Sequence, residues 1–86
     1  MFSIYRNQSA LVPLNEVWEQ ADAPLREAIL QASHRIDQHL QTDPQEQGES
    51  RDGTTRILFD APLAVTFEVD EPKRLVRILR AWTFRA

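Results

Sequence analysis

The residues best suited to chemistry on an anion are the arginines of the C-terminal stretch "KRLVRILRAWTFR": Arg74, Arg77, Arg80 and Arg85. The planar guanidinium fork matches a phosphate or a carboxylate, so this set marks a surface for a polyanion or an acidic protein partner. The same arginines serve equally as solvated charges paired with Glu68, Asp70 or Glu71. On a regular strand Arg74 and Arg80 share one face, and Arg77 and Arg85 take the other. Trp82 and Phe84 stand among them, either closing the core under the helices or forming an apolar groove for a partner. Arg56, in "TTRILF", is a further cation. It is placed to stabilise developing charge, or to act as a sheet-edge charge against aggregation.

Phosphodiester cleavage through a ribose hydroxyl also needs a proton acceptor and a proton donor. Arginine is a poor acceptor, and from residue 54 onward only Lys73, in a turn, offers another basic group. His34 and His39 lie about 140° apart around a helix and do not share a metal in the i, i+4 manner. Cysteine is absent, which removes thiolate metal sites, cysteine nucleophiles and disulfides. Gly48 and Gly53 are too few for a phosphate-cradling loop. No metal and no small-molecule cofactor is expected.

Elements must hold these groups in place. The chain has 86 residues, 42% of them apolar and 27% charged, which suits one globular domain over 1–86. The net charge of −3 disfavours a general nucleic-acid binder, but its distribution is uneven. Acids dominate the first fifty residues, and after Glu71 only Lys73 and the four arginines carry charge. No signal-like segment or membrane-length apolar run is present, so a cytoplasmic protein is expected.

"FSIYR" alternates Phe2 and Ile4 against Ser3 and Tyr5, a short strand. "LNEVWEQA" predicts a short helix beginning near Pro13, with Leu14, Val17, Trp18 and Ala21 on one face. Asp22 is the expected N-cap of a second helix, whose stripe is Leu25, Ile29, Ala32, Ile36 and Leu40 and whose stop is Pro44. The polar segment "QEQGESRDG" reads as a mobile loop. "TTRILFD" and "LAVTFEVD" read as paired strands. Residues 75–84 fit helix and strand alike, and the turn before them favours a third strand completing the hairpin. The expected fold is α+β, in the order β-α-α-β-β-β, with a helical hairpin on a small, mainly antiparallel sheet.

A helix of the type "REAILQASHRIDQHLQTDP", the strand pair in "TTRILFDAPLAVTFEVD" and the arginine-rich "RLVRILRAWTFR" together resemble the RelE/ParE family of toxins, also known as plasmid-stabilisation proteins. The resemblance implies a toxin neutralised by a small antitoxin protein. It implies one of two targets: mRNA in the ribosomal A site for RelE-type members, or DNA gyrase for ParE-type members. It also implies a catalytic role for Arg56 and Arg85, with Arg74, Arg77, Arg80, Trp82 and Phe84 as a polyanion- or antitoxin-binding set. Leu58 and Ala64 stand where the family carries further basic residues, and no tyrosine follows Arg85. The reading that follows is a toxin-like protein acting mainly by binding. The alternatives are an mRNA endonuclease with weakened acid–base chemistry and a non-toxic interaction module.

Overall fold

Leu63, Val65 and Phe67, every second residue of one strand, are almost fully buried, and that strand becomes the centre of the molecule. A computed structural model describes residues 1–84, with only the backbone described at positions 51 and 52. The elements are β1 (Ser3–Arg6), α1 (Gln8–Gln20), α2 (Ala23–Thr42), a 3-10 turn (Pro44–Glu46), β2 (Glu49–Asp52), β3 (Thr55–Asp60), β4 (Leu63–Asp70) and β5 (Leu75–Thr83). The sheet runs β1-β5-β4-β3-β2. β1 joins β5 in parallel, and every other pairing is antiparallel.

The α+β class holds, with two helices on one face of a mainly antiparallel sheet. Residues 75–83 are a strand, because β4 pairs along the whole length of β5 and that pairing outweighs the helix propensity of Leu and Arg. One addition is β2, which lies inside the segment read as a loop. Glu49 and Ser50 pair with Ile57 and Arg56, and Gly48 and Gly53, both at positive φ, bracket the short edge strand.

α1 begins at Gln8, five residues before Pro13, near which the sequence places its start. Pro13 therefore sits inside the helix and forfeits one backbone hydrogen bond. Docking outweighs that loss, since Ala10 is buried against the sheet and the first turn is closed by Ala10 and Leu11 amides donating to the Asn7 carbonyl. α2 follows expectation. The Leu25 amide donates to the Asp22 carboxylate at 3.0 Å, and Ile29, Ala32, Ile36 and Leu40 enter the core. They meet Phe2, Leu63, Val65, Phe67, Val76, Ile78 and Ala81 from the sheet.

The sheet therefore has two unlike sides. The helices cover one, and the other is left to whatever the strands themselves carry.

Candidate functional site

β5 does not alternate regularly. Thr66 pairs with Arg80 and Phe67 pairs with Ile78, which leaves Leu79 as an extra residue, a β-bulge. The Ser9 hydroxyl of α1 donates to the Leu79 carbonyl, and the Asn7 amide donates to the Ile78 carbonyl at 3.0 Å, so the bulge is held from the helix side. Its consequence is a change of phase. Val76 and Ile78 face the helices before the bulge and Ala81 faces them after it.

That phase change corrects the expected partition of the arginines. Arg77 and Arg80 fall on the same side, the open one, and Trp82 joins them two residues later. Phe84, just past β5, meets Phe59 of β3 edge to face, with ring centroids 5.4 Å apart. Trp82 and Phe84 thus lie opposite the helices. Arg74 is separate: it sits in the β4–β5 turn at φ +51, its guanidinium 4.6 Å from the centroid of the Phe2 ring and 3.7 Å from Glu71.

Three cross-strand rows build the open side. Tyr5, Arg77, Glu68 and Thr55 lie abreast on β1, β5, β4 and β3. One pleat repeat along come Arg80, Thr66, Ile57 and Glu49, and the next repeat brings Trp82, Ala64 and Phe59. Arg77 Nη1 donates to Glu68 Oε1 at 2.9 Å, one of the pairings considered from the sequence. Arg80 is exposed and has no hydrogen bond or ion pair among the described residues. Tyr5 is 57% exposed and Phe59 56%, so the aromatic surface is open to contact. Beside the first row, Glu68, Arg77 and Thr54 line an open recess of about 380 Å³ that continues toward Asp70, Glu71 and Pro72.

Arg56 is elsewhere. It pairs with Phe67, so its side chain leaves the sheet on the helix-bearing side. There its Nε donates to the Gln47 carbonyl at 2.9 Å and its Nη2 to the Gly48 carbonyl at 3.2 Å. This guanidinium ties the 3-10 turn and β2 to the sheet, and the structure does not bring it together with Arg77 and Arg80. Arg85 lies outside the described residues.

Tyr5 is the group that sequence reasoning passed over. Residues from 54 onward offer few acid–base groups, but the parallel β1–β5 pairing carries the N-terminal strand to the last one. Its signal was present in "FSIYR", where Tyr5 alternates with the apolar residues. Among the described residues, no group of three or more His, Asp or Glu side chains is placed to hold a metal ion. No helix among them is long and apolar enough to cross a membrane.

No protein-family model and no curated protein matches the sequence. Solved structures do match the fold. The chain is similar to the toxin–antitoxin complex RelBE2 from Mycobacterium tuberculosis, with a TM-score of 0.72 at 14% identity over 96% of this chain and 91% of that one. It is also similar to the chromosomal ParDE system of P. aeruginosa, with a TM-score of 0.71 at 19% identity over 99% of this chain and 98% of that one. The isolated E. coli RelE toxin gives 0.67 at 13% identity, over 100% of this chain and 87% of that one. The architecture is that of RelE/ParE-type toxins.

Proposed function

We propose that this chain, built on the RelE/ParE-type toxin fold, is the toxin-like component of a toxin–antitoxin pair in the cytoplasm, engaging its target through the open side of the sheet. The observation that carries the reading is Arg80, exposed and without a hydrogen bond or ion pair among the described residues, set between Arg77 and an aromatic cluster of exposed Phe59 and half-buried Trp82 and Phe84. A guanidinium beside aromatic faces suits a polyanion whose bases stack, or an acidic protein segment. Arg56 contributes by holding the β2 edge in place.

The antitoxin is a second, small protein. That partner is supported by the RelBE2 and ParDE structures, which hold toxins of this fold in toxin–antitoxin systems. Leu11 and Val12 of α1 and Leu30 of α2 are exposed on the helix-bearing side, and they give such a partner apolar contacts away from the open side.

Induced expression in a bacterial host tests the proposal. Wild type arrests growth, and Arg80→Ala with Trp82→Ala restores it at equal levels of folded protein. Arrest that persists in the folded double variant would overturn the assignment of the open side. Cleaved DNA trapped on gyrase with intact RNA would identify gyrase as the target. Normal growth with wild type would leave an interaction module without toxicity.

A further inference from the structure

The outer face of α1 carries the opposite charge to the open side of β5. Ala10 sets the buried side of the helix, with Leu14, Val17 and Trp18 packed half-buried beside it. At 100° per residue, Val12, Glu16 and Glu19 fall within about 60° of one another on the opposite side. All three are exposed, and Leu11 is exposed next to Val12. A rise of 1.5 Å per residue puts Glu16 about 6 Å and Glu19 about 10.5 Å from Val12 along the axis. Neither carboxylate has an ion-pair partner among the described residues. The helix thus offers an apolar end followed by two acids.

β5 offers the complement in the same order. Trp82, with Phe59 and Phe84 beside it, is the apolar end. Arg80 follows about 6.8 Å along the strand and Arg77 about 13.6 Å along it. The 13-residue helix is about 20 Å long and the nine-residue strand about 30 Å, so one fits along the other. Long Glu and Arg side chains span the remaining mismatch of about 3 Å. Arg77 is shared with Glu68, so Arg80 makes the stronger contact.

We infer that the open side of one copy receives α1 of a second copy, so that the chain assembles head to tail. Leu11 and Val12 meet the aromatic cluster, Glu16 meets Arg80, and Glu19 reaches Arg77. The occupant is a second copy because both halves of the match lie on this chain, acidic over its first fifty residues and basic after Glu71.

α1 lies on the helix-bearing side and Arg80 and Trp82 on the other, so two copies cannot exchange both contacts at once. The contact is heterologous. Each assembly keeps one free helix face and one free sheet face, and it grows with concentration instead of stopping at a pair. One helix face against one strand face is small beside a standard interface, so association is weak and needs concentrated protein. The inference goes beyond target binding and stands without it. Where the open side also binds a target, as proposed above, assembly hides that side. A protein seated on Leu11 and Val12 blocks assembly from the other end.

The test is analytical ultracentrifugation of the purified full chain over a concentration series in low salt. The weight-average mass climbs with concentration to at least about twice that of the monomer, and falls back in about 1 M salt. Two neutralised variants separate the ends. Arg80→Gln with Trp82→Ala removes the receiving face, and Val12→Ser with Glu16→Gln removes the inserted one. Each stays monomeric alone, and an equal mixture gives a heterodimer that grows no further. Unfolding temperatures of both are compared with wild type, so that a folding defect is not read as lost association. Wild type that stays monomeric at every concentration overturns the inference, as does assembly undiminished in either variant or a mixture that remains monomeric. Wild type that stops at a dimer assigns a symmetric contact and overturns it too. A labelled single-stranded oligonucleotide, bound through Arg80 by a chain that never associates, leaves the target reading standing and removes this one. Head-to-tail assembly without oligonucleotide binding upholds this one by itself.

Discussion

The two sides of the one sheet treat the same residue type in opposite ways. On the helix-bearing side, guanidinium groups are consumed by structure. Arg56 is bound to two backbone carbonyls, and Arg6 of β1 is paired with Asp37 of α2. On the open side Arg77 has a single carboxylate partner, and Arg80 has none among the described residues. An arginine whose donors are already satisfied by the fold is expensive to redirect toward a ligand. One left exposed beside aromatic rings costs little to engage. Residue type and position near a sheet strand are therefore poor guides to function. What discriminates is whether the fold already uses the side chain.

The sharpest contrast comes from Phe67 of β4, which faces the helices with 0% exposure. Phe67→Ala should cost about 3–5 kcal/mol, from lost transfer energy and the cavity left behind. A domain this small carries about 5–15 kcal/mol in total, so much of its stability would go. Urea denaturation reads the change directly, whereas Phe59→Ala on the open side should leave the midpoint nearly where it was. Equal effects would mean that the open side is a second core.

Gly48 tests the join between β2 and the sheet. Its φ is +68, and a β-carbon there would lie 2.2 Å from the Ile57 carbonyl oxygen, a backbone atom that cannot swing aside. Gly48→Ala should cost about 2–4 kcal/mol, combining left-handed strain with overpacking. The loss is read as a lower unfolding temperature and as faster amide exchange confined to β2 and β3.

Much of this was legible in the sequence because the apolar pattern is strong where the core is. The α2 stripe, its Asp22 cap and its end before Pro44 all follow from side-chain periodicity and proline sterics. The strand pair before the last turn follows from β-branched and aromatic alternation. What escaped was long-range or local in ways a periodic pattern does not carry. Edge strand β2 is polar throughout, and only its partner β3 makes it a strand. The Leu79 bulge shows in the sequence only as a step of three between Ile78 and Ala81, and that one extra residue reverses the side on which Arg80 and Trp82 emerge. Tyr5 reaches the site through a parallel pairing that spans nearly the whole chain.

The arginines themselves give a crossed pair of predictions. Arg56→Ala should leave the Gln47 and Gly48 carbonyls without their donor and cost about 1–3 kcal/mol, with target binding unchanged once the protein is folded. Arg80→Ala should stay within about 0.5 kcal/mol of wild type in stability and lose at least about tenfold in polyanion affinity. Chemical denaturation and fluorescence anisotropy with a short labelled oligonucleotide check the two axes. A reversal of the two results would exchange the roles assigned to the sheet's two sides.

The smallest expected effect lies at the rim, where Arg35 of α2 donates from Nε and Nη2 to the Asp60 carboxylate at 2.8–3.2 Å. Hydrogen bonding to Asp60 raises the Arg35 pKa above its ordinary value, helped by the carboxylate's charge and opposed by desolvation. A raised folded-state pKa gives stability that is full below the unfolded value and fades only as pH climbs through the folded one. Both lie far above neutrality, so the arginine end of this pair adds no pH dependence between about pH 6 and pH 9. The Arg35 side chain is 46% exposed, so salt screens the pair well. Arg35→Ala should lower the unfolding temperature less than Arg56→Ala does, by the same amount across that pH range, and by less still in molar salt. A larger loss than for Arg56, or one that salt does not diminish, would show that the rim pair fastens α2 to the sheet as firmly as the carbonyl clasp fastens β2.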